Sequence, residues 1–272
     1  LQNGSGNISA MGVSFSMSDA IARNRIQRWM EELTAAPIQE NARLKLQQED
    51  ERSSLPKIRD SEFESFARKA STVIDVKEGQ NKQLQQQVEE FFNKDVRQWH
   101  GELSALFHEM TNRTLESEDI EKRLRALNND LFHKGYALER IVDKVGMKKI
   151  KQLFRELTGP WWYQSPIVKM AYEKPRGYPG DYELFEIIYN GKPLAKENTI
   201  GFYFDKYFLN NTYSQAVRTR KNKMKNILQD LVENSDSRRL RLLNVACGPC
   251  RELRELSSDP HLSSRIQLCF TG

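Results

Sequence analysis

Between residues 82 and 112, apolar side chains fall at Leu84, Val88, Phe92, Trp99, Leu103, Leu106 and Met110. Steps of three, four and seven residues are aligned on one side only by an α-helix. A stripe of this length predicts one continuous helix and requires other apolar surfaces to cover it. The neighbouring segments supply them. Ser117-Glu118-Asp119 opens a helix carrying Ile120, Leu124, Leu127 and Leu131, expected to stop near Gly135. Short helices follow over 138–145 and 147–157, ended by Gly159-Pro160. Upstream, Met17–Leu33 places Ile21, Ile26, Trp29 and Met30 at helical spacing, residues 37–60 read as a linker interrupted by Pro37 and Pro56, and Ser61-x-x-Glu64 has the spacing of a capping box. Residues 17–160 are therefore expected to form a mainly α-helical domain.

Composition narrows the function classes. No apolar run approaches the ~18 residues of a membrane helix, and the first residues lack the layout of a signal peptide. The three cysteines, Cys247, Cys250 and Cys269, cluster near one end. That excludes a disulfide-stapled secreted scaffold and makes a reducing, cytoplasmic compartment the expected one. The charge of +5, from 42 Lys and Arg against 37 Asp and Glu, is too dilute over 272 residues to imply a nucleic-acid partner. Cys247-x-x-Cys250 has zinc spacing, yet only Cys269 and His261 lie near it in sequence, short of a closed ligand set, and no metal is expected. His100, His108 and His133 are scattered and read as core or surface imidazoles.

Beyond residue 160 the pattern changes. Aromatic residues crowd 161–213, a segment read as a connecting or lid element. Residues 214–233 form an amphipathic helix with Val217, Met224, Leu228 and Leu231 on one side. A buried strand over Leu242–Ala246 then runs into Cys247-Gly248-Pro249-Cys250 and a helix, and Ile266–Phe270 reads as a second strand. Strand, glycine turn and helix in that order open an α/β Rossmann-like domain: the chain turns where glycine removes the Cβ, and a ligand can meet backbone N–H groups. Neither a dinucleotide fingerprint nor a Walker lysine is present. A plain βα turn without ligand is the alternative.

The turn resembles motif I of class I S-adenosylmethionine (SAM)-dependent methyltransferases, with Asn244, Ala246, Cys247, Gly248 and Pro249 at the matching positions. Asn244 stands where the family often has an acid, and Cys250 where it often has a glycine. Lys174-Pro-Arg-Gly-Tyr-Pro-Gly-Asp-Tyr-Glu183, then Ala216-Val-Arg-Thr-Arg220, then the Gly248 turn resemble, in that order, bacterial methyltransferases of the extracellular-factor, 3-hydroxypalmitic acid methyl ester biosynthesis family. The resemblance covers about residues 110–272. It implies SAM as cofactor, a small-molecule or acyl methyl acceptor with carboxyl O-methylation as one reaction, and site roles for Arg176, Tyr178 and Asp181 in catalysis and for Arg218 and Tyr182 in substrate binding. Guanidinium groups suit Arg176 or Arg218 to clamp a carboxylate. The plainer alternatives are that Asp181 caps a helix starting at Tyr182, and that Arg218, Arg220, Lys221, Lys223 and Lys225 form a solvated helix face.

Asn7-Ile-Ser-Ala-Met-Gly12 resembles half of a PilZ motif, so residues 1–16 read as a PilZ-like tail. The arginine pair that would accompany it is absent, and cyclic di-GMP binding by this chain is not expected. Residues 214–272 are expected to be the beginning of a SAM-binding domain, since few residues follow motif I. The competing expectation is a non-catalytic helical regulatory module that forms a homodimer through the 82–112 stripe.

Overall fold

The computed structural model describes residues 55–74, 81–174, 182–237, 240–245 and 248–271. The expectations for the PilZ-like tail, the Met17–Leu33 helix and most of the 37–60 linker lie outside these residues. The fold is mainly helical. Helix α1 spans Asp60–Thr72; α2 (Asn81–Glu90) passes through a π-helical segment, Phe91–Val96, into α3 (Arg97–Thr111); α4 (Ser117–Glu139) and α5 (Lys144–Trp162) follow. Then come α6 (Pro166–Glu173), α7 (Tyr182–Asn190), α8 (Ile200–Asn210) and α9 (Thr212–Glu233). The chain continues through β1 (Leu240–Val245), α10 (Arg251–Ser257), α11 (Pro260–Arg265) and β2 (Ile266–Thr271).

The stripe that predicts the long helix is the centre of the core. Val88, Phe92, Trp99, Leu103 and Leu106 are buried, with Leu84 and Met110 packed at its margin. Phe63 and Ala67 of α1, Ile120, Leu124 and Leu131 of α4, and Ile150, Leu157 and Trp161 of α5 cover it. The stripe is thus spent within its own chain, which removes the surface on which the homodimer expectation rested. The helix is not uniform: the π segment inserts an extra residue, and Phe91 and Phe92 are both buried, edge to face at 5.5 Å.

Several boundaries differ from the sequence expectations. Helix α4 runs through Gly135 to Glu139, because an apolar face extending to the buried Leu138 outweighs the modest helix cost of one glycine. The residues 138–145 are accordingly the end of α4 and a turn, and α5 begins after Asp143, whose carboxylate accepts from the N–H groups of Val145 and Gly146. Pro160 lies inside α5 rather than ending it. Trp161 is fully buried there and Trp162 stacks on Trp99 at 5.5 Å, so aromatic packing carries the helix past the proline. At α1 the cap lies two residues earlier than the Ser61–Glu64 spacing suggests: Glu62 accepts from the backbone N–H of Arg59 at 2.8 Å.

The described residues of the segment 161–213 are largely helical. Its pivot is Asp205 of α8, fully buried. One carboxylate oxygen accepts from the N–H groups of Leu194 and Ala195, both at 2.8 Å; the other accepts from the Ser165 hydroxyl and, at 3.4 Å, from the N–H of Ile167. Burial raises the carboxyl pKa above its ordinary value, and the four donors pull against that shift.

Candidate functional site

Strands β1 and β2 pair in parallel, Leu240 with Ile266 through Val245 with Thr271. Parallel neighbours cannot be joined by a hairpin, and here α10 and α11 make the crossover. Leu240 and Leu242 turn one side of β1 toward a small core of Val232, Cys250, Leu253, Leu256 and Leu262. The opposite side carries Leu243, which is 48% exposed. The expected buried strand is covered on one face among the described residues, by α9, α10 and α11.

The turn after β1 has the backbone that the glycine signal calls for. Gly248 is left-handed with φ +54°, and a Cβ built there would meet nothing within 4 Å. Cys250 is also left-handed, at φ 48°, directly before α10. A side chain pays a steric cost in that conformation. Burial of Cys250 and the approach of the Asn244 amide to its sulfur, 3.5 Å, accompany it. Asn244 therefore points from the end of β1 back into the turn. Pro249 is buried. Ala246 and Cys247 lie outside the described residues.

Helix α10, which follows the turn, is fixed by charge. Glu186 of α7 is buried and accepts from Arg251 at 2.6 Å and from Arg254. Arg251 also reaches Asn190 at 3.3 Å and Glu255 at 3.3 Å. Glu255 in turn takes Lys221 at 2.6 Å and Lys225 at 3.2 Å from α9. Burial raises the Glu255 carboxyl, but the two lysines outweigh it and its pKa falls below the ordinary value. The basic run on α9 is therefore split: Arg218, Lys221 and Lys225 are half-buried, Arg218 donating to the carbonyl of Ile188 at 3.3 Å, whereas Lys223 is exposed and Arg220, also exposed, lies over the Phe185 ring at 6.0 Å.

The structure places the anticipated site residues on three neighbouring elements. Asn244, Gly248 and Pro249 belong to the turn, Arg218 to α9, and the half-buried Tyr182 to the start of α7. Arg218 is committed to the last turn of α7, and no hydrogen bond among the described residues links it to the Gly248 turn. Arg176, Tyr178 and Asp181 lie outside the described residues. Sequence reading missed Glu186, Arg251 and Arg254; the only local signal was a glutamate at a core-facing position of an apolar helix. Among the described residues no cluster of His, Cys, Asp and Glu could hold a metal, and no helix is long and apolar enough to cross a membrane. Compared with known proteins, the chain matches no family model, and no curated protein or solved structure is significantly similar to it.

Proposed function

We propose that this protein takes part in SAM-dependent methyl transfer, with β1, its turn and β2 as the start of a Rossmann-like donor-binding domain. The observation that carries this reading is the left-handed turn at Gly248, at the carboxyl end of a strand with a parallel neighbour. Open α/β sheets receive ligands outside the carboxyl ends of their strands. The open space beside Gly248 suits a ligand that must approach the backbone closely, and Asn244 sets its amide against Cys250 at the other end of the same turn.

A fatty acyl carboxylate is the acceptor in this reading. Its oxygen forms the new bond to the methyl carbon while the carbon–sulfur bond breaks and S-adenosylhomocysteine leaves. A carboxylate needs no base, so the protein's task is alignment of oxygen and methyl carbon. Arg218 uses one N–H on Ile188 and retains further donors for that carboxylate.

Incubating the intact protein with methyl-tritiated SAM and a series of long-chain fatty acids tests the proposal. Base-labile label in the lipid fraction is expected. Absence of label together with absence of SAM binding would overturn it, whereas SAM binding without label would remove the acyl acceptor alone.

A further inference from the structure

Away from the Gly248 turn, α4, α5, α6, α8 and the start of α9 line a cavity of about 610 Å³ that is open to solvent, with Tyr136, Tyr172 and Tyr213 exposed at its rim. That is ample for a mid-sized organic ligand. Its walls are mostly rings. Phe132 faces Tyr207 with planes 9° apart, and Trp162 packs on Phe132 at 5.4 Å. Tyr163 and Tyr172 form a second aromatic pair at 5.1 Å. Gly159 makes room for that pair, because a Cβ there would stand 2.8 Å from the Tyr163 ring.

The polar groups decide the ligand's charge. Tyr163 and Tyr207 have their hydroxyl pKa values pushed up to about 12, chiefly by burial, so neither is an anion near neutral pH. The Tyr207 hydroxyl is already donated to Asn129 at 2.9 Å. No carboxylate lines the cavity, while Arg155 does. Arg155 makes no ion pair or hydrogen bond among the described residues; its charge reaches Tyr163, as does that of Glu173, which stands outside the lining. An all-aromatic cage would favour a cation, but a guanidinium without a counter-charge in the same lining repels one and attracts an anion.

We propose that this cavity is a binding site for a planar aromatic carboxylate, whose rings lie against Phe132, Trp162 and Tyr207 and whose carboxylate pairs with Arg155. Ring walls reward a flat, rigid body with stacking and edge contacts, whereas a flexible chain must give up rotamer freedom to fill the same space. The site is separate from the donor turn and does not rest on methyl transfer.

Calorimetry of the intact protein with three probes tests it: 1-pyrenecarboxylate, 1-pyrenemethylammonium and decanoate. Saturable binding of the pyrene carboxylate is expected, at least about tenfold tighter than either other probe. Arg155→Glu should invert the preference between the two pyrene probes, and this exposed position makes the exchange possible without disturbing the core. Gly159→Ala, which pushes the Tyr163 ring from its place, should weaken the carboxylate by about tenfold with little change in melting temperature. Equal affinity for both charges, tighter binding of decanoate, or indifference to Arg155→Glu would each overturn the proposal.

Discussion

Asp205 is a carboxylate without a cationic partner among its hydrogen bonds, and it ties three backbone stretches together. Its oxygens face only donors. Asp205→Asn puts an NH2 group against one pair of them, leaving buried N–H groups unsatisfied at about 1–3 kcal/mol each. Urea denaturation of that variant should show a loss of about 2–3 kcal/mol; a loss below about 0.5 kcal/mol would mean that the network contributes little. Gly201 limits the same region by shape. A Cβ there would stand 2.1 Å from the carbonyl oxygen of Gln164, so the backbones of α8 and the α5–α6 connection must separate. Gly201→Ala should cost about 1–3 kcal/mol despite alanine's better helix propensity. An unchanged or raised melting temperature would contradict the close approach. Neither residue is conspicuous in the sequence, where Asp205 is one acid and Gly201 one glycine in an aromatic run.

At the scale of elements, α3 and α5 meet through a titratable contact. The Trp161 indole N–H donates to Nδ1 of His100 at 2.8 Å, which assigns the neutral ring with its proton on Nε2. Burial lowers the imidazole pKa below 6.5, while Asp60 acts weakly in the other direction. A depressed folded-state pKa gives stability that is complete above pH about 6.5 and lost as the pH falls through the folded value. Melting temperature should therefore drop on acidification from neutral pH, and His100→Gln, which keeps an acceptor without a titration, should show a shallower drop. Parallel pH profiles for the two proteins would exclude this contact as a source of acid sensitivity. The helices themselves were legible, since the residues at helical spacing from Leu84 to Met110 pack inward. Their interruptions were not. A π segment leaves no mark in a count of threes and fours, and Pro160 stays helical because Trp161 and Trp162 are held by partners more than sixty residues away on α3.

Among the described residues of the molecule, the parallel β–α–β unit packs on α9 through apolar contact and is held to α7 and α9 by charge. The strand, turn and helix at 240–257 could be read from the sequence because each leaves a local signal: apolar residues, a glycine, then helical spacing. The partners that fix them could not, since Glu186 meets Arg251 and Arg254 only after the chain has passed through α8 and α9. For the same reason Met224 and Leu231, which spacing alone assigns to the buried stripe of α9, are 45% and 51% exposed while Val232 is buried. Methyl transfer by this protein depends on the Gly248 turn as the donor site. The most direct measurement is a calorimetric titration of SAM into the intact protein and into Gly248→Ala. One saturable site is predicted, weakened about tenfold or more in the variant, which corresponds to about 1.4 kcal/mol. No saturable heat with the parent protein, or equal affinity in the two, would contradict the assignment of this turn to the methyl donor.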